Sequence, residues 1–250
     1  IDDLGYLIGP ILNSGGRLGK STYASKLLSS DNLEVVNNIS KKLIKLNNKR
    51  KEIESLMLHE INFQSIQNEN KDVIVYYNPN MNEGLIGIIA ARLKDYFNKP
   101  SIVITNSNKL LKGSARSVSN YNIGRVIKIS LDKKIIIRGG GHNAAAGFTL
   151  NKNNLKIFEN FILKDYVKTC PFIDKIFLYD TELSSLALNK DFYTDLKKLE
   201  PFGTSNPSPT FLLKDLKIIK PTILNNKHIS LILKSKTGFS IKSISFNSVN

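Results

Sequence analysis

The sequence predicts an α/β domain built on a mixed sheet, preceded by a long connecting helix and followed by a small β-barrel. Three observations predict it. Strand-like and helix-like patterns alternate over residues 72–168, as they do where helices pack on a sheet. A helical pattern fills residues 31–67 with neither glycine nor proline to break it. After Pro171 the chain turns to short strands separated by turn residues.

Taken in order, a short helix is expected over 23–28 and the long one over 31–67. Asp31 and Glu34 have the spacing of a capping box at its start. Val36, Ile39, Leu43, Leu46, Ile53 and Met57 then form a narrow apolar stripe interrupted by Arg50. At about 1.5 Å per residue such a helix spans roughly 54 Å, which fits a strut between domains or, alternatively, a free coiled coil. "DVIVYY" (72–77) reads as a strand and "NPNMNEG" as a loop. "LIGIIAARLKDYF" (85–97) reads as a helix with Leu85, Ile89, Leu93 and Tyr96 on one face. "SIVIT", a turn at "NSNK", and "LLKGSARS" (110–117) make a hairpin. "NIGRVIKIS" is a short helix, "KIIIRGGG" (134–141) a strand running into glycines, and "NNLKIFENFILKDYV" a further helix. Beyond Pro171, strands are expected over 175–183, 211–219, 228–235 and 240–247, with a helix at 190–199 and a rigid turn at 200–209.

The chain carries 36 Lys and Arg against 21 Asp and Glu, a formal net charge of +15, which favours a polyanionic partner such as nucleic acid. Abundant Lys, Asn and Ile also fit an AT-rich genome, in which surface lysines accumulate without purpose. The arginines are more selective: Arg17, Arg116 and Arg138 each sit in or beside a glycine-bearing motif, and a guanidinium matches phosphate oxygens two at a time. No apolar run approaches the length of a membrane span. The single cysteine, Cys170, excludes an internal disulfide framework and suits a reducing cytoplasm. The first residues, "IDDLGYLIGP", and the last, "SISFNSVN", both look cut from a longer protein.

Three motifs are candidates for phosphate binding. In "NSGGRLG" (13–19), Gly15, Gly16 and Gly19 would let a ligand approach the backbone beside Arg17; the plainer reading is a loop leading into the next helix. In "KGSARS" (112–117), strand alternation puts Ser114 and Arg116 on one face, as a phosphate clamp or as an ordinary exposed face. In "RGGGHNAAAGFTL" (138–150), Gly139, Gly140 and Gly141 could present successive N–H groups as an anion nest, with His142 at a helix start. The plainer reading there is a tight turn capped by the histidine. A dinucleotide-binding glycine fingerprint fits poorly, because a strand follows instead of a long helix. His59, His142 and His228 are scattered without carboxylates at ligand spacing, Asp2-Asp3 is the lone adjacent acidic pair, and no nucleophile elbow or Walker loop occurs. The sequence therefore holds no complete catalytic site of a recognisable kind.

The three motifs in this order, with a long helix between the first two, resemble the RecJ-type single-strand-specific exonucleases of the DHH phosphoesterase superfamily. "IGPILNSGGRLG" is similar to the end of that family's catalytic domain, giving an expected domain at 1–30 and a connecting helix at 31–70. "EGLIGIIAARL", "LKGSARS" and "GGGHNAAAGFTL" resemble signatures of the DHH-associated domain, expected over 71–168. "LEPFGTSNPSPTFLL" resembles the entry to an OB-fold domain, expected over 169–250 with its barrel incomplete. The resemblance implies a parent enzyme of DNA repair and recombination that degrades single-stranded DNA 5′ to 3′. It also implies Mn²⁺ or Mg²⁺ held by ligands upstream of this chain, so that no catalytic or metal-binding residue is expected here. By the same resemblance Ser114 and Arg116 hold a terminal phosphate, Arg17 contacts a backbone phosphate, and Gly140, Gly141 and His142 line the cleft. The expected partner is single-stranded DNA, bound by a monomer with no membrane association. Met81 and Asn82 stand where members often carry Trp-His, which puts any imidazole role there in doubt. Two alternatives remain: a related phosphodiesterase for oligonucleotides or cyclic dinucleotides, which the expected OB domain disfavours, and a non-catalytic nucleic-acid-binding scaffold.

Overall fold

The structure, a computed structural model, describes residues 3–170, 178–203, 206–226, 228–246 and 248–249. Asp2, the first residues of the strand expected at 175–183, two residues of the turn at 200–209 and the last residue of 240–247 lie outside these. The chain divides into two compact units, Ile1–Ile173 and Asp174–Asn250.

The first unit opens with a helical segment Asp3–Ile8, followed by α1 (Gly9–Leu18), α2 (Thr22–Leu28) and α3 (Leu33–His59). Proline at the start of α1 fits the first helical turn, where its missing N–H costs nothing. Asn32 starts α3, its side chain accepting from the amides of Glu34 and Val35, so the cap lies one residue beyond the expected Asp31. The helix also stops short of the expected 67. It ends at His59, and a separate α4 (Phe63–Asn68) begins where the Asn62 side chain accepts from the Ser65 amide. Between them Ile61 tucks into the core beside Met57. A side-chain cap, not glycine or proline, breaks the helix, because asparagine competes with the helical backbone for its amides.

The sheet has the order β1-β2-β3-β5-β4. Its strands are β1 (Ile74–Tyr77), β2 (Ser101–Ser107), β3 (Leu110–Arg116), β4 (Arg138–His142) and β5 (Ala145–Leu150). β1 runs parallel to β2 through the crossover helix α5 (Ile86–Phe97), and the other pairs are antiparallel. The β2–β3 hairpin turns on Asn108, whose φ of 55° is one that asparagine tolerates. Alternation sends Ile102 and Ile104 to one face, where α6 (Ile123–Asp132) and α7 (Leu155–Thr169) close a core around Phe148, Phe158 and Tyr121. Val103 and Ile74 point to the other face, against Leu85, Ile89 and Leu93 of α5 and its entry turn. Tyr96, expected on that apolar face, is half exposed and packs edge-on against Phe63 and Phe97.

One element differs in kind from expectation. Residues 134–137 form no strand; β4 starts at Arg138 and its glycines are the strand itself. Gly139, Gly140, Gly141 and His142 pair in register with Phe148, Gly147, Ala146 and Ala145. An extended strand points successive N–H groups to opposite sides, so the expected anion nest is not formed. His142 closes a strand instead of opening a helix.

The second unit contains β6 (Thr181–Glu182), α8 (Lys190–Lys197), β7 (Phe211–Leu212), β8 (Leu216–Leu224), β9 (His228–Ser235) and β10 (Ser240–Ser245). β10, β9 and β8 form an antiparallel meander, and β6 pairs with β7 in parallel. This is an OB-like β region whose described strands make two sheets and no closed barrel; none of its described residues is buried. Among the described residues no helix is long and apolar enough to cross a membrane.

Candidate nucleic-acid interface

The last turn of α1, and not a loop, carries Arg17. Its glycines serve helix packing: a Cβ on Gly15 would lie 3.1 Å from Leu43 and one on Gly19 would lie 3.0 Å from Leu46, both on α3. Gly16 faces open space. Across the cleft, α1 lies on the turn before α5 so closely that a Cβ on Gly84 would sit 2.2 Å from the Arg17 carbonyl oxygen. The Arg17 Nη1 donates to the Gly84 carbonyl at 3.1 Å, and Asn82 holds that turn by accepting from the Gly84 amide. Asn82 is thus a turn residue here, with no imidazole in its place. An open cavity of about 310 Å³ borders Arg17 and Arg50 between α1, α3 and α5.

Ser114 and Arg116 share a face of β3, as alternation requires, and lie over the first turn of α5. A Cβ on Gly87 would be 3.0 Å from the Ser114 Oγ and 3.1 Å from an Arg116 guanidinium nitrogen. The Arg116 Nη1 donates to the Ser114 Oγ at 3.3 Å and to the Ala115 carbonyl at 2.9 Å. Neither Arg116 nor Arg17 has an ion-pair partner among the described residues. Burial first, and then the like charge of Arg17, holds the Arg116 guanidinium below its ordinary value. Burial and Arg50 do the same to Arg17, partly offset by Glu54. Glu54 is itself engaged by Arg50 at 2.7 Å and Arg92 at 2.9 Å. Two partly buried guanidiniums without an ion-pair partner among the described residues form a site suited to an anion.

Register links this pair to the glycine–histidine hairpin. Arg116 pairs with Ala145, which pairs with His142; Ser114 pairs with Gly147, which pairs with Gly140. Directly opposed residues point to the same face, so Ser114, Arg116, Gly140 and His142 share one surface. A third row, Lys112–Thr149–Arg138, completes it. α5 covers the β2–β3 part of this face, and the β5–β4 part, with Arg138, Gly140, His142 and Gly147 exposed, is open. Gly141 points the other way: a Cβ there would meet the Ala145 carbonyl oxygen at 2.3 Å, so that glycine admits β5. Gly140 has nothing within 4 Å. The His142 ring turns back on the hairpin, its Nδ1 accepting from the Ala144 amide at 3.3 Å, while Ile123 at the start of α6 donates to the Asn143 carbonyl. The sequence alone does not mark Lys112, Thr149 or Gly147, and it shows Arg138 as an arginine beside a glycine motif, not as part of this face. Strand alternation hinted at each position, but only the register assembles them.

No group of three or more His, Cys, Asp or Glu able to hold a metal ion occurs among the described residues. Among the described residues, therefore, no donor set fits Mn²⁺ or Mg²⁺.

Comparison with known proteins agrees with this anatomy. A family model for the DHHA1 domain matches residues 70–168, and one for the RecJ OB domain matches residues 179–250. The single-stranded-DNA-specific exonuclease RecJ of Haemophilus influenzae is 29% identical over 98% of this chain and 45% of its own length. Its counterpart from Bacillus subtilis is 26% identical over 95% of this chain and 31% of its own. The chain thus spans less than half the length of these relatives. The crystal structure of RecJ in complex with Mn²⁺ from Thermus thermophilus superposes with a TM-score of 0.81 at 24% identity, covering 99% of this chain and 36% of that one. With a DHHA1 domain and a RecJ OB domain in succession, on a fold shared along nearly its whole length, the chain belongs to the RecJ family.

Proposed function

We propose that this chain is the substrate-gripping part of a single-strand-specific 5′-to-3′ DNA exonuclease of DNA repair and recombination. In this reading Ser114 and Arg116 hold the terminal phosphate, Arg17 a backbone phosphate, and Gly140 and His142 the rim of the cleft, while Gly141 faces the other side of the sheet. One observation carries it: at the start of α5 lie two partly buried guanidiniums with no ion-pair partner among the described residues, Arg116 beside Ser114 against the first turn and Arg17 bonded to Gly84 in the turn before it. Residues 1–30 then close a catalytic domain, 31–70 connect it to the DHH-associated domain at 71–168, and 169–250 add general strand binding through the OB region. The divalent metals that activate water for phosphodiester attack belong to the rest of the protein. The RecJ OB match favours this over a phosphodiesterase for cyclic dinucleotides. The protein is expected to act in the cytoplasm, as a monomer.

Binding of 5′-phosphorylated oligothymidylate, followed by fluorescence anisotropy at increasing salt, tests the grip. Two phosphate contacts give a log–log slope of about −1.4, at roughly 0.7 per contact on a single strand; a flat plot removes the phosphate-contact account. A second expectation concerns chemistry. The purified chain incubated with Mn²⁺ and the same strand should release no nucleotide, and metal-dependent cleavage that co-purifies with it would overturn the assignment of the metal site elsewhere.

A further inference from the structure

The open face carries more than the cluster at Ser114. Its three rows, read across β3, β5 and β4, are Arg116–Ala145–His142, Ser114–Gly147–Gly140 and Lys112–Thr149–Arg138. Neighbouring strands lie about 4.8 Å apart and same-face residues about 6.7 Å apart along a strand. The middle row beyond Ser114 is pure glycine. A Cβ on Gly140 would meet nothing within 4 Å, and one on Gly147 would reach a single backbone oxygen at 4.0 Å. The fold does not require glycine at either position, and glycine weakens a strand. Bare backbone on a solvent-facing sheet, next to an anion site, has the shape of a path for an extended ligand.

That path ends on a cation. Arg138 is exposed and has no ion-pair partner among the described residues, whereas Lys112 at the other end of its row faces Glu83 at 3.5 Å. The Cα atoms of Ser114 and Arg138 are two strands and one row apart, about 12 Å, a span covered by one nucleotide and an extended arginine. His142 is the one aromatic ring among these three rows, and it turns back on its own hairpin; no large apolar side chain stands beside it, so the contact is with the sugar–phosphate backbone and not by base stacking.

We propose that Arg138 forms a second phosphate subsite on this sheet face, additional to the backbone-phosphate contact of Arg17, and reached across the Gly147–Gly140 floor from the terminal-phosphate site at Ser114 and Arg116. The proposal rests on the reading of that first site given above. It makes the face a two-phosphate ruler that accepts any base and requires a flexible single strand laid flat on the sheet.

The test compares a ligand with one phosphate to a ligand with several. Thymidine 5′-monophosphate and 5′-phosphorylated tetrathymidylate are titrated into the wild-type chain, Arg138→Ala and Gly147→Val by calorimetry, with a 5′-hydroxyl tetranucleotide as control. Arg138→Ala should leave the monophosphate Kd within about twofold. It should weaken the tetranucleotide roughly tenfold and reduce its salt slope by about one contact. Gly147→Val should weaken the tetranucleotide by a similar factor while Tm holds or rises, because valine is the better strand residue. Equal loss on both ligands would place Arg138 in the first site, and unchanged tetranucleotide binding in both variants would remove the subsite; either result overturns the proposal. A wild-type chain with no preference for 5′ phosphate over 5′ hydroxyl would instead sink the underlying reading. A normal wild-type preference with Arg138→Ala indistinguishable sinks the second subsite alone.

Discussion

Replacing Arg116 with alanine is expected to remove most of this chain's preference for a 5′-phosphorylated single strand over the same strand ending in a hydroxyl. A hydrogen bond to a charged group contributes about 1.5–3 kcal/mol, so the loss should be roughly 10- to 150-fold in Kd for the phosphorylated ligand. The hydroxyl-ended strand should bind almost as before. Folding should not suffer, which makes the variant a clean probe. Among the described residues Arg116 donates only to Ser114 and the adjacent Ala115 carbonyl. Its partly desolvated charge faces that of Arg17, so deletion relieves a repulsion, and Tm should stay or rise. Arg116→Lys keeps the charge but not the planar fork and should fall between the two. An alanine variant that still discriminates the two ends by the wild-type factor would take Arg116 out of the terminal-phosphate site.

The part of this site legible in the sequence was the part that depends on neighbours along the chain. Strand alternation places Ser114 and Arg116 on one face from their spacing alone, and the structure keeps them there. The alternation of Ile102, Val103 and Ile104 likewise announces a sheet buried on both faces. The glycine motifs were harder because glycine records an absence, and what fills or leaves that space comes from distant segments. Gly15 and Gly19 resemble a ligand-binding loop until α3 supplies Leu43 and Leu46 to the same space. The triple glycine resembles a nest until β5 pairs with it, after which Gly139 and Gly141 face packed atoms and Gly140 faces solvent. Arg138 could not be placed on the same surface as Ser114 without the β3–β5–β4 register. The break at 60–62, by contrast, was written locally in Asn62, a capping residue inside a run of helix formers.

Gly84→Ala should impair phosphate binding without removing any atom that touches phosphate. The added methyl would lie 2.2 Å from the Arg17 carbonyl oxygen and 3.2 Å from its Cα. Both partners are backbone, so no rotamer change makes room, and α1 must move off the turn that leads into α5. The Arg17 guanidinium, whose hydrogen bond is to the Gly84 carbonyl, moves with it and leaves the anion site to Arg116 and Ser114. Overpacking of this kind costs about 1–3 kcal/mol, or a fall in Tm of roughly 2–4 °C per kcal/mol for a chain of this size. Affinity for the phosphorylated strand should drop about tenfold, close to the effect of Arg17→Ala, and the double variant should be no worse than either alone. Gly16→Ala is the control. It lies one residue from Arg17 in the same helix, its Cβ would meet nothing within 4 Å, and alanine is favoured over glycine in a helix by up to about 1 kcal/mol. That variant should melt higher and bind as well as the wild type. If Gly84→Ala melts lower yet binds phosphate normally, the close approach of α1 to α5 is a matter of folding alone, and something else holds Arg17 in the cleft.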